Sequence, residues 1–264
     1  MLWSRVFHGF LLAFVLSCGP DKSAPKGIVI YPTSDTLPEN LLRFYVRFSH
    51  PMKAINNLKN IRLMDKNNQV VEGVIFNNVH ELWDDQQKQL TLIMDPARVK
   101  TGLSTHNRLG RALVPGHSYH LVIEKMETVE QDKVKPFKKK FMVVSADTIA
   151  PSINLWDIRR PQVGSLDPLQ IVFPESVDVM SLFHRLTISN DNGDKLEGTV
   201  EIGSNEKQWM FTPLEYWGEG KYTIYINARF ADPSGNNLNG LFDHRTGSLK
   251  YEKEGETLKI PFSL

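Results

Sequence analysis

The chain contains two copies of one strand-and-turn pattern. Residues 41–75 align without gaps with residues 166–200, so that Phe48 falls on Phe173 and the two segments are offset by 125 positions. Each copy reads as a strand, a short excursion, a second strand, a turn rich in Asn, Asp and Gly, and a third strand. Self-similarity at this period indicates two structural modules of one kind.

The agreement between the copies continues after the aligned segments. Each copy has a strand that ends in proline, a glycine followed closely by tyrosine, and a closing strand; the segments are "LTLIMDP", "PGHSYHLVI" and "KKKFMVVS", then "QWMFTP", "GEGKYTIYI" and "LKIPFSL". Short strands with frequent turns, and scarcely any helix-period segment, favour β-sandwiches.

Tyr119 and Tyr222 lie where immunoglobulin-like sandwiches carry a corner tyrosine near the start of strand F. Leu121 and Ile224 take the position of the disulfide cysteine two residues later, so both cores are expected to be aliphatic. The alternative is that both tyrosines are ordinary strand residues. The fold class predicted from these features is all-β, with two tandem immunoglobulin-like β-sandwich domains.

The first sandwich is predicted to cover residues 27–147 and the second residues 148–264. The boundary falls in "SADTIAPSI", where Pro151 interrupts the strand pattern. Two modules of roughly 120 residues are each large enough to bury an independent core.

At this point the chain resembles the bacterial Ig-like domain of the surface-layer protein type. "VIYPTSDTLPENLLRFYVRFSHPM" has that family's proline-marked turn, alternating strand and late Pro-Met pair. "ARFADPSGNNLNG" resembles its late turn, whereas the second copy lacks the Pro-Met pair at "FPESVD". The resemblance implies repeated extracellular modules that serve as spacers, scaffolds or attachment units, and it implies no catalytic residues.

The N-terminus predicts lipid attachment. Arg5 precedes an apolar run, Phe10 to Leu16, that is too short to span a bilayer but suits a secretory signal. The run leads into "VLSC", which resembles the bacterial lipobox, with Leu16 larger than the usual residue. The resemblance implies a signal peptide over 1–17 and lipidation of Cys18; the alternative is a signal whose cysteine is incidental.

Cys18 is the only cysteine in the chain, which fits lipid attachment better than a redox role. A tether over 18–26 would follow, and several acyl chains on one terminus hold far better than one. The expected location is the bacterial cell envelope, with the lipid anchored in the outer membrane and the protein facing the periplasm or the surface.

The formal net charge of +1 gives no overall field that would attract nucleic acid, so nucleic acid is not an expected partner. The expected partners are the membrane, through the N-terminal lipid, and an envelope protein or an anionic or glycan surface polymer. No cofactor is expected.

The largest difference between the copies is a long basic loop at 97–114. Between Pro96 and Tyr119 lie 22 residues, whereas eight separate Pro213 from Tyr222. The additional segment carries the following basic or imidazole side chains: Arg98, Lys100, His106, Arg108 and Arg111.

All of these except the histidine are candidate ligand-binding residues. Guanidinium and ammonium groups receive carboxylate or phosphate groups, for instance from an anionic glycan or peptide. Long loops often carry function. The alternative is a loop that packs on its own sandwich or on the second domain, with its charges in water.

Trp217 is a further candidate, because "LEYWGEG" places Tyr216 and Trp217 in a loop where a flat ring can stack on a sugar. "DPSGNNLNG" offers oxygen donors of the type that calcium takes, from Asp232, Asn236 and Asn237. It lacks the alternation of an EF-hand loop, and such clusters are mostly turn chemistry, so no metal is predicted.

Catalysis is not expected. Lipidation of Cys18 leaves no thiol, there is no Gly-x-Ser-x-Gly stretch, and paired carboxylates such as Glu215 and Glu219 cannot be placed together from sequence. We predict an envelope-anchored lipoprotein that acts as a non-catalytic binding or scaffolding module. The alternatives are a carbohydrate-binding accessory lipoprotein that uses exposed aromatics of the second domain, and a hydrolase with an unrecognised carboxylate site.

Overall fold

The structure is a computed structural model that describes residues 27–54, 58–76, 80–243 and 256–264. The predicted signal peptide, Cys18 and the tether lie outside these residues. Within the described ranges, no helix combines the length and the apolar character needed to cross a membrane.

The strands up to Val144 form two four-stranded sheets, which we call the N-terminal module. The strands are β1 (Ile28–Tyr31), β2 (Thr36–Pro38), β3 (Arg43–Phe48), β4 (Ile61–Met64), β5 (Leu82–Trp83), β6 (Gln89–Ile93), β7 (Ser118–Ile123) and β8 (Phe137–Val144). One sheet has the order β1-β3-β6-β5 and the other the order β2-β8-β7-β4. Strand β2 runs parallel to β8, and the other pairs are antiparallel.

The strands from Asp157 onward form two further sheets, which we call the C-terminal module. The strands are β9 (Asp157–Arg159), β10 (Leu169–Val172), β11 (Leu186–Asn190), β12 (Gly198–Ile202), β13 (Gln208–Pro213), β14 (Lys221–Asn227) and β15 (Thr257–Ser263). Their orders are β12-β13-β10-β9 and β11-β14-β15. The segment 145–156 joins the modules and contains Pro151, where the strand pattern predicts the boundary.

Helical segments are short. Three α-helices, α1 (Pro96–Val99), α2 (Ser104–Leu109) and α3 (Val179–His184), and 3-10 turns at Leu58–Asn60, Ile153–Leu155 and Ser204–Glu206 occur in the described residues. The predicted all-β class with immunoglobulin-like sandwiches is confirmed.

Each module has its own core, because alternate residues of its strands point between its two sheets. In β14, Tyr222, Ile224 and Ile226 are buried while the residues between them are partly exposed. The repeat alignment holds in three dimensions, since β3 corresponds to β10 and β4 to β11 at the predicted offset. Phe48 and Phe173, which the alignment pairs, are both buried.

Both predicted corner tyrosines make the expected backbone contacts. The hydroxyl of Tyr119 accepts a hydrogen bond from Val114 N at 3.1 Å. The hydroxyl of Tyr222 donates to Gly218 O at 3.1 Å and accepts from Gly218 N at 3.2 Å. Each tyrosine therefore fixes the loop that precedes its own strand, as in an immunoglobulin-like corner.

Candidate functional site

The basic loop 97–114 is folded around its own backbone. Asp95 begins α1 by accepting a hydrogen bond from Ala97 N at 2.8 Å. Arg98 Nε donates to Gly110 O at 2.8 Å, and Arg98 Nη2 donates to Arg111 O at 3.4 Å. The guanidinium of Arg98 therefore holds the two ends of the loop together through backbone carbonyls. The sequence instead predicts that this guanidinium contacts a ligand.

The same loop joins the two modules. Arg111 lies 3.5 Å from Glu39 Oε1 and 3.2 Å from Asp243 Oδ2, and only 16% of its side chain is exposed. Thr101 donates to Asp243 Oδ1 from its backbone N at 3.0 Å and from its hydroxyl at 2.8 Å. Lys100 Nζ lies 5.6 Å from the centre of the Phe242 ring.

These contacts correspond to the alternative in which the loop packs on the second domain. Arg111 and Lys100 contact Asp243 and Phe242, respectively, at the junction between the modules. They therefore do not form a separate surface patch. Arg108 is exposed on α2, so its role as a ligand-binding residue stays a prediction.

Trp217 lies in the core of the C-terminal module. It is 2% exposed, its Nε1 donates to Asp167 O at 2.8 Å, and its ring meets that of Tyr222 edge-on at 5.2 Å. This burial corrects the expectation of an exposed Trp217, because neither ring face is open to a sugar. The exposed ring of this loop is that of Tyr216, at 71%.

The oxygens of the predicted calcium candidates mostly accept backbone hydrogen bonds. Asp232 Oδ1 accepts from Ser234 N at 2.8 Å and from Asn236 N at 3.0 Å. Asn236 Oδ1 accepts from Phe242 N, and Asn237 Oδ1 accepts from the N of residue 239. In the part of the chain that the structure describes, no three His, Cys, Asp or Glu residues are grouped as metal ligands.

Asn40 is the centre of the contact between the modules. It is 3% exposed, and its Nδ2 donates to Asp147 O at 2.8 Å. Its Oδ1 accepts from Asp147 N at 2.9 Å and from the Ser234 hydroxyl at 3.1 Å. One amide thereby ties the N-terminal module to the connecting segment and to the turn at 232–236, satisfying polar groups that burial would otherwise leave unpaired.

Leu42 and Gly235 approach each other closely at this junction. Gly235 has a φ of +83°, and a Cβ there would lie 2.7 Å from Leu42 Cδ2. Leu42 N also donates to Pro233 O at 3.0 Å. The junction therefore requires glycine both for the left-handed conformation and for the space.

We expect Gly235→Ala to destabilise the protein more than Gly193→Ala does. Gly193 has a similar φ of +89°, but a Cβ added there would meet no atom within 4 Å. Both variants therefore carry the backbone strain of about 1–2 kcal/mol. Only Gly235→Ala adds the overpacking against Leu42, at about 1–3 kcal/mol. Urea unfolding of the two variants measures the difference, and equal losses would contradict a tight junction.

A second contact between the modules is formed by Glu206, which is 1% exposed. Its carboxylate accepts hydrogen bonds from Thr33 N at 3.0 and 3.1 Å and from the Thr33 hydroxyl at 2.6 Å. Burial raises the pKa of Glu206, and the bonds from Thr33 oppose that shift. Lys139 Nζ, which donates to Thr33 O and Ser34 O at 3.0 Å, adds a favourable positive charge.

A cleft of about 600 Å³ opens between the modules, bounded by β3 on one side and by α3 and the segment 229–242 on the other. The charged or titratable residues that line it are Arg43, Tyr45, Asp178, His184, Arg185 and Arg229. Sequence reasoning missed this group, because its members come from three distant segments and form no local motif.

Asp178 lines the cleft and is 7% exposed. Its Oδ1 begins α3 by accepting from Met180 N at 3.0 Å and Ser181 N at 3.2 Å. Its Oδ2 accepts from the Tyr45 hydroxyl at 2.8 Å and lies 3.9 Å from Arg43 Nε. Burial raises the pKa of Asp178, while Arg43 and the hydrogen bonds it accepts oppose the shift.

No protein-family model and no curated protein matches the chain. Among solved structures, the N-terminal part of the bacterial S-layer protein SbsC is 11% identical, with a TM-score of 0.29, over 70% of this chain and 37% of that one. Native alpha-2-macroglobulin from Escherichia coli, spanning domains MG0-NIE-MG1, is 14% identical over 91% of each chain, with a TM-score of 0.28.

The BSP domain of a biofilm associated protein is 12% identical over 72% of this chain and 25% of that one, with a TM-score of 0.24. These three matches are S-layer, macroglobulin and biofilm-associated proteins. The chain spans little more than a third of the SbsC fragment. At these identities and TM-scores, the matches assign neither a ligand nor an activity.

Proposed function

We propose that the protein is a non-catalytic binding module of the bacterial cell envelope that holds an anionic ligand in the cleft between its two sandwiches. The observation that carries this proposal is that Arg43 of the N-terminal module and Arg185 of the C-terminal module line one cavity of about 600 Å³. Attachment through a lipid on Cys18 is part of the proposal and is supported by the lipobox resemblance.

The charge of the cleft favours an anion. Arg43 and Arg185 are cationic side chains, and the carboxylate among the lining residues, Asp178, is committed to α3 and Tyr45. Arginine is the side chain best suited to carboxylate and phosphate recognition. The cavity is also within the size range of small-molecule sites, which often lie between domains.

The polar groups of the cleft support binding over catalysis. Ser181, which lines the cleft, is 5% exposed, and its hydroxyl oxygen accepts a hydrogen bond from Ala231 N at 3.0 Å. Asp178 is held by four contacts, two of them with backbone N–H groups of α3. The cleft therefore supplies fixed donors and charge, which are the requirements of a binding site.

We expect Arg185→Ala to weaken the binding of anions to the full lipoprotein in detergent by about tenfold or more, the value of a charge-assisted hydrogen bond. A panel of citrate, glucuronate and glucose 6-phosphate would be titrated calorimetrically against the wild type and the variant. Arg160→Ala is the matched control, since Arg160 is exposed and does not line the cleft.

The proposal predicts that at least one member of the panel binds the wild type and the Arg160→Ala variant equally well. Wild-type protein that binds none of these anions would overturn it. So would an Arg185→Ala variant that binds them as tightly as the wild type.

A further inference from the structure

We propose that the outer face of the β2-β8-β7-β4 sheet docks on the anionic phospholipid bilayer to which the N-terminal lipid attaches the protein. We call this surface the basic face, and it consists of the residues of these four strands that point away from the core. The inference is independent of the cleft. It rests on the lipid attachment that belongs to the proposed function.

The register of the sheet brings cations of two strands together on the basic face. In β8, alternate residues point outward, and Lys138, Lys140, Met142 and Val144 are all exposed. Strand β7 pairs with β8 on one side and with β4 on the other, which places Arg62 in one row with Lys138. The face therefore carries three cationic side chains beside apolar ones.

The positive charge of the basic face is not balanced within it. The structure describes the four strands in full, and none of their outward positions carries Asp or Glu. Arg62 forms an ion pair with Glu124, which directly follows β7. Among the described residues, neither Lys138 nor Lys140 forms an ion pair, and Lys138 Nζ lies 3.4 Å from the amide oxygen of Asn68.

His120 reports the same positive potential. It belongs to β7 and is the register partner of Lys140. Burial lowers the pKa of His120, and the charges of Lys138 and Lys140 lower it further, against a hydrogen bond with the backbone of Asp65. The two ammonium groups are thus close enough to act on one side chain, and their fields add at the surface.

Exposed apolar side chains decide between a bilayer and a soluble anionic polymer. Met142 is 51% exposed and Val144 is 43% exposed, and both point outward from the strand that carries the two lysines. At a bilayer, the ammonium groups reach the lipid phosphates while neighbouring apolar side chains enter the interface. A soluble polymer would use the charges and leave Met142 in water, so the mixed surface favours the membrane.

The chain enters the N-terminal module at the end of the basic face that carries Arg62 and Lys138. Ile28 pairs with Phe48, and Val129, in the connection from β7 to β8, donates to Pro51 O at 3.0 Å. The tether predicted for residues 18–26 reaches at most about 30 Å. It would keep the face close to the bilayer, where attraction between charges acts over about 10 Å.

The test measures the surroundings of residue 142 in the full lipoprotein. Cys18 is the only cysteine and its thiol carries the lipid, so Met142→Cys supplies one free thiol for an environment-sensitive fluorophore. The protein would be placed in nanodiscs of phosphatidylcholine, with or without phosphatidylglycerol. We expect the emission to shift to the blue in the anionic nanodiscs alone, and the shift to be lost at high salt, which screens the charges.

The control label is Val29→Cys. Val29 is 41% exposed on β1, in the other sheet of the same module, so its fluorophore should show no shift. Lys138→Glu with Lys140→Glu should lower the ratio of docked to undocked protein by about tenfold or more. Lys195→Glu with Lys221→Glu is the matched pair, at exposed lysines of the C-terminal module, and should leave the ratio unchanged.

The outcomes separate docking from lipid attachment. Protein that co-elutes with anionic nanodiscs but shows no blue shift would overturn the docking and leave the attachment standing. Failure to co-elute with either nanodisc would overturn both.

Three further results would contradict the proposal. The first is an equal shift in both kinds of nanodisc, which would show docking without charge recognition. The second is a shift that survives Lys138→Glu with Lys140→Glu. The third is a shift that soluble polygalacturonate produces and phosphatidylglycerol does not, which would assign the basic face to an anionic glycan.

Discussion

Replacing Asp232 by asparagine is expected to make the protein more stable than the wild type at pH 8 and to make little difference at pH 4. Asp232 is 4% exposed, and burial raises its pKa from 3.8 to about 8, with the nearby Asp147 carboxylate shifting it the same way. Its Oδ1 accepts two backbone hydrogen bonds, whereas its Oδ2 is buried and has no hydrogen-bond partner in the described structure.

The sign of the effect follows from the raised pKa. Well below pH 3.8 the Asp232 carboxyl is protonated in both the folded and the unfolded chain, so its contribution to stability is fully present. Between pH 4 and pH 8 the unfolded chain releases a proton that the folded chain retains, and stability is lost as the pH rises. Each pKa unit corresponds to about 1.4 kcal/mol, so a loss of several kcal/mol is expected by pH 8.

Asparagine avoids this loss because it does not ionise. Its Oδ1 can still accept from Ser234 N and Asn236 N, and its Nδ2 replaces the unpartnered oxygen with a donor beside Asp147. Urea unfolding of the wild type and of Asp232→Asn at pH 4, 6 and 8 would measure the effect. Asp191→Asn, at an exposed turn residue, is the control and should follow the wild type at each pH.

An Asp232→Asn variant that is less stable than the wild type at pH 8 would contradict the prediction. It would mean that the ionised carboxylate is required there. If EDTA lowered the stability of the wild type to the same level, the calcium hypothesis for Asp232 would gain support.

Asp178→Ala is expected to reduce the free energy of unfolding by about 3–5 kcal/mol, the range observed when one partner of a buried charged group is removed. The alanine would leave Met180 N, Ser181 N and the Tyr45 hydroxyl without their acceptor. It would also leave Arg43 without its neighbouring negative charge. Thermal and urea unfolding both report the loss.

Two milder variants divide this loss into its parts. Asp178→Asn keeps an acceptor for the helix N–H groups and removes the charge, so it should cost less than the alanine. Tyr45→Phe removes only the hydrogen bond from the Tyr45 hydroxyl to Asp178, and it should reduce the free energy of unfolding by about 1 kcal/mol. If Asp178→Ala costs no more than Tyr45→Phe, the helix cap and the charge contribute nothing, contrary to the prediction.

The fold was accessible from the sequence because its determinants are local and repeated. Alternating apolar residues, turn residues and the tyrosine near the start of β7 and β14 each act within a few positions of themselves. The gapless alignment that pairs Phe48 with Phe173 then predicts the strands of the second module from those of the first. The hydroxyls of Tyr119 and Tyr222 contact the backbone five and four residues upstream. Contacts over so short a separation can be predicted from local sequence.

The candidate site was not accessible in this way, because long-range docking decides it. Tyr45 and Asp178 are 133 residues apart and meet only after both sandwiches have formed. The sequence shows the basic loop as a difference between the two copies. Its charge alone could not reveal that Arg98 donates hydrogen bonds to backbone carbonyls, or that Arg111 forms an ion pair with Asp243. Trp217 shows the same limit, since a ring in a loop can point inward.

The loop 97–114 also has a mechanical consequence. Two rigid modules joined by a single connector can rotate about it. A second attachment away from the connector restricts that rotation and so fixes the angle between the modules. The contacts of Arg111 and Thr101 with Asp243 provide such a brace, in addition to the connecting segment and to Asn40. A pull along the chain would therefore be shared between parallel attachments, so the contacts between the modules would bear the load together and not one at a time.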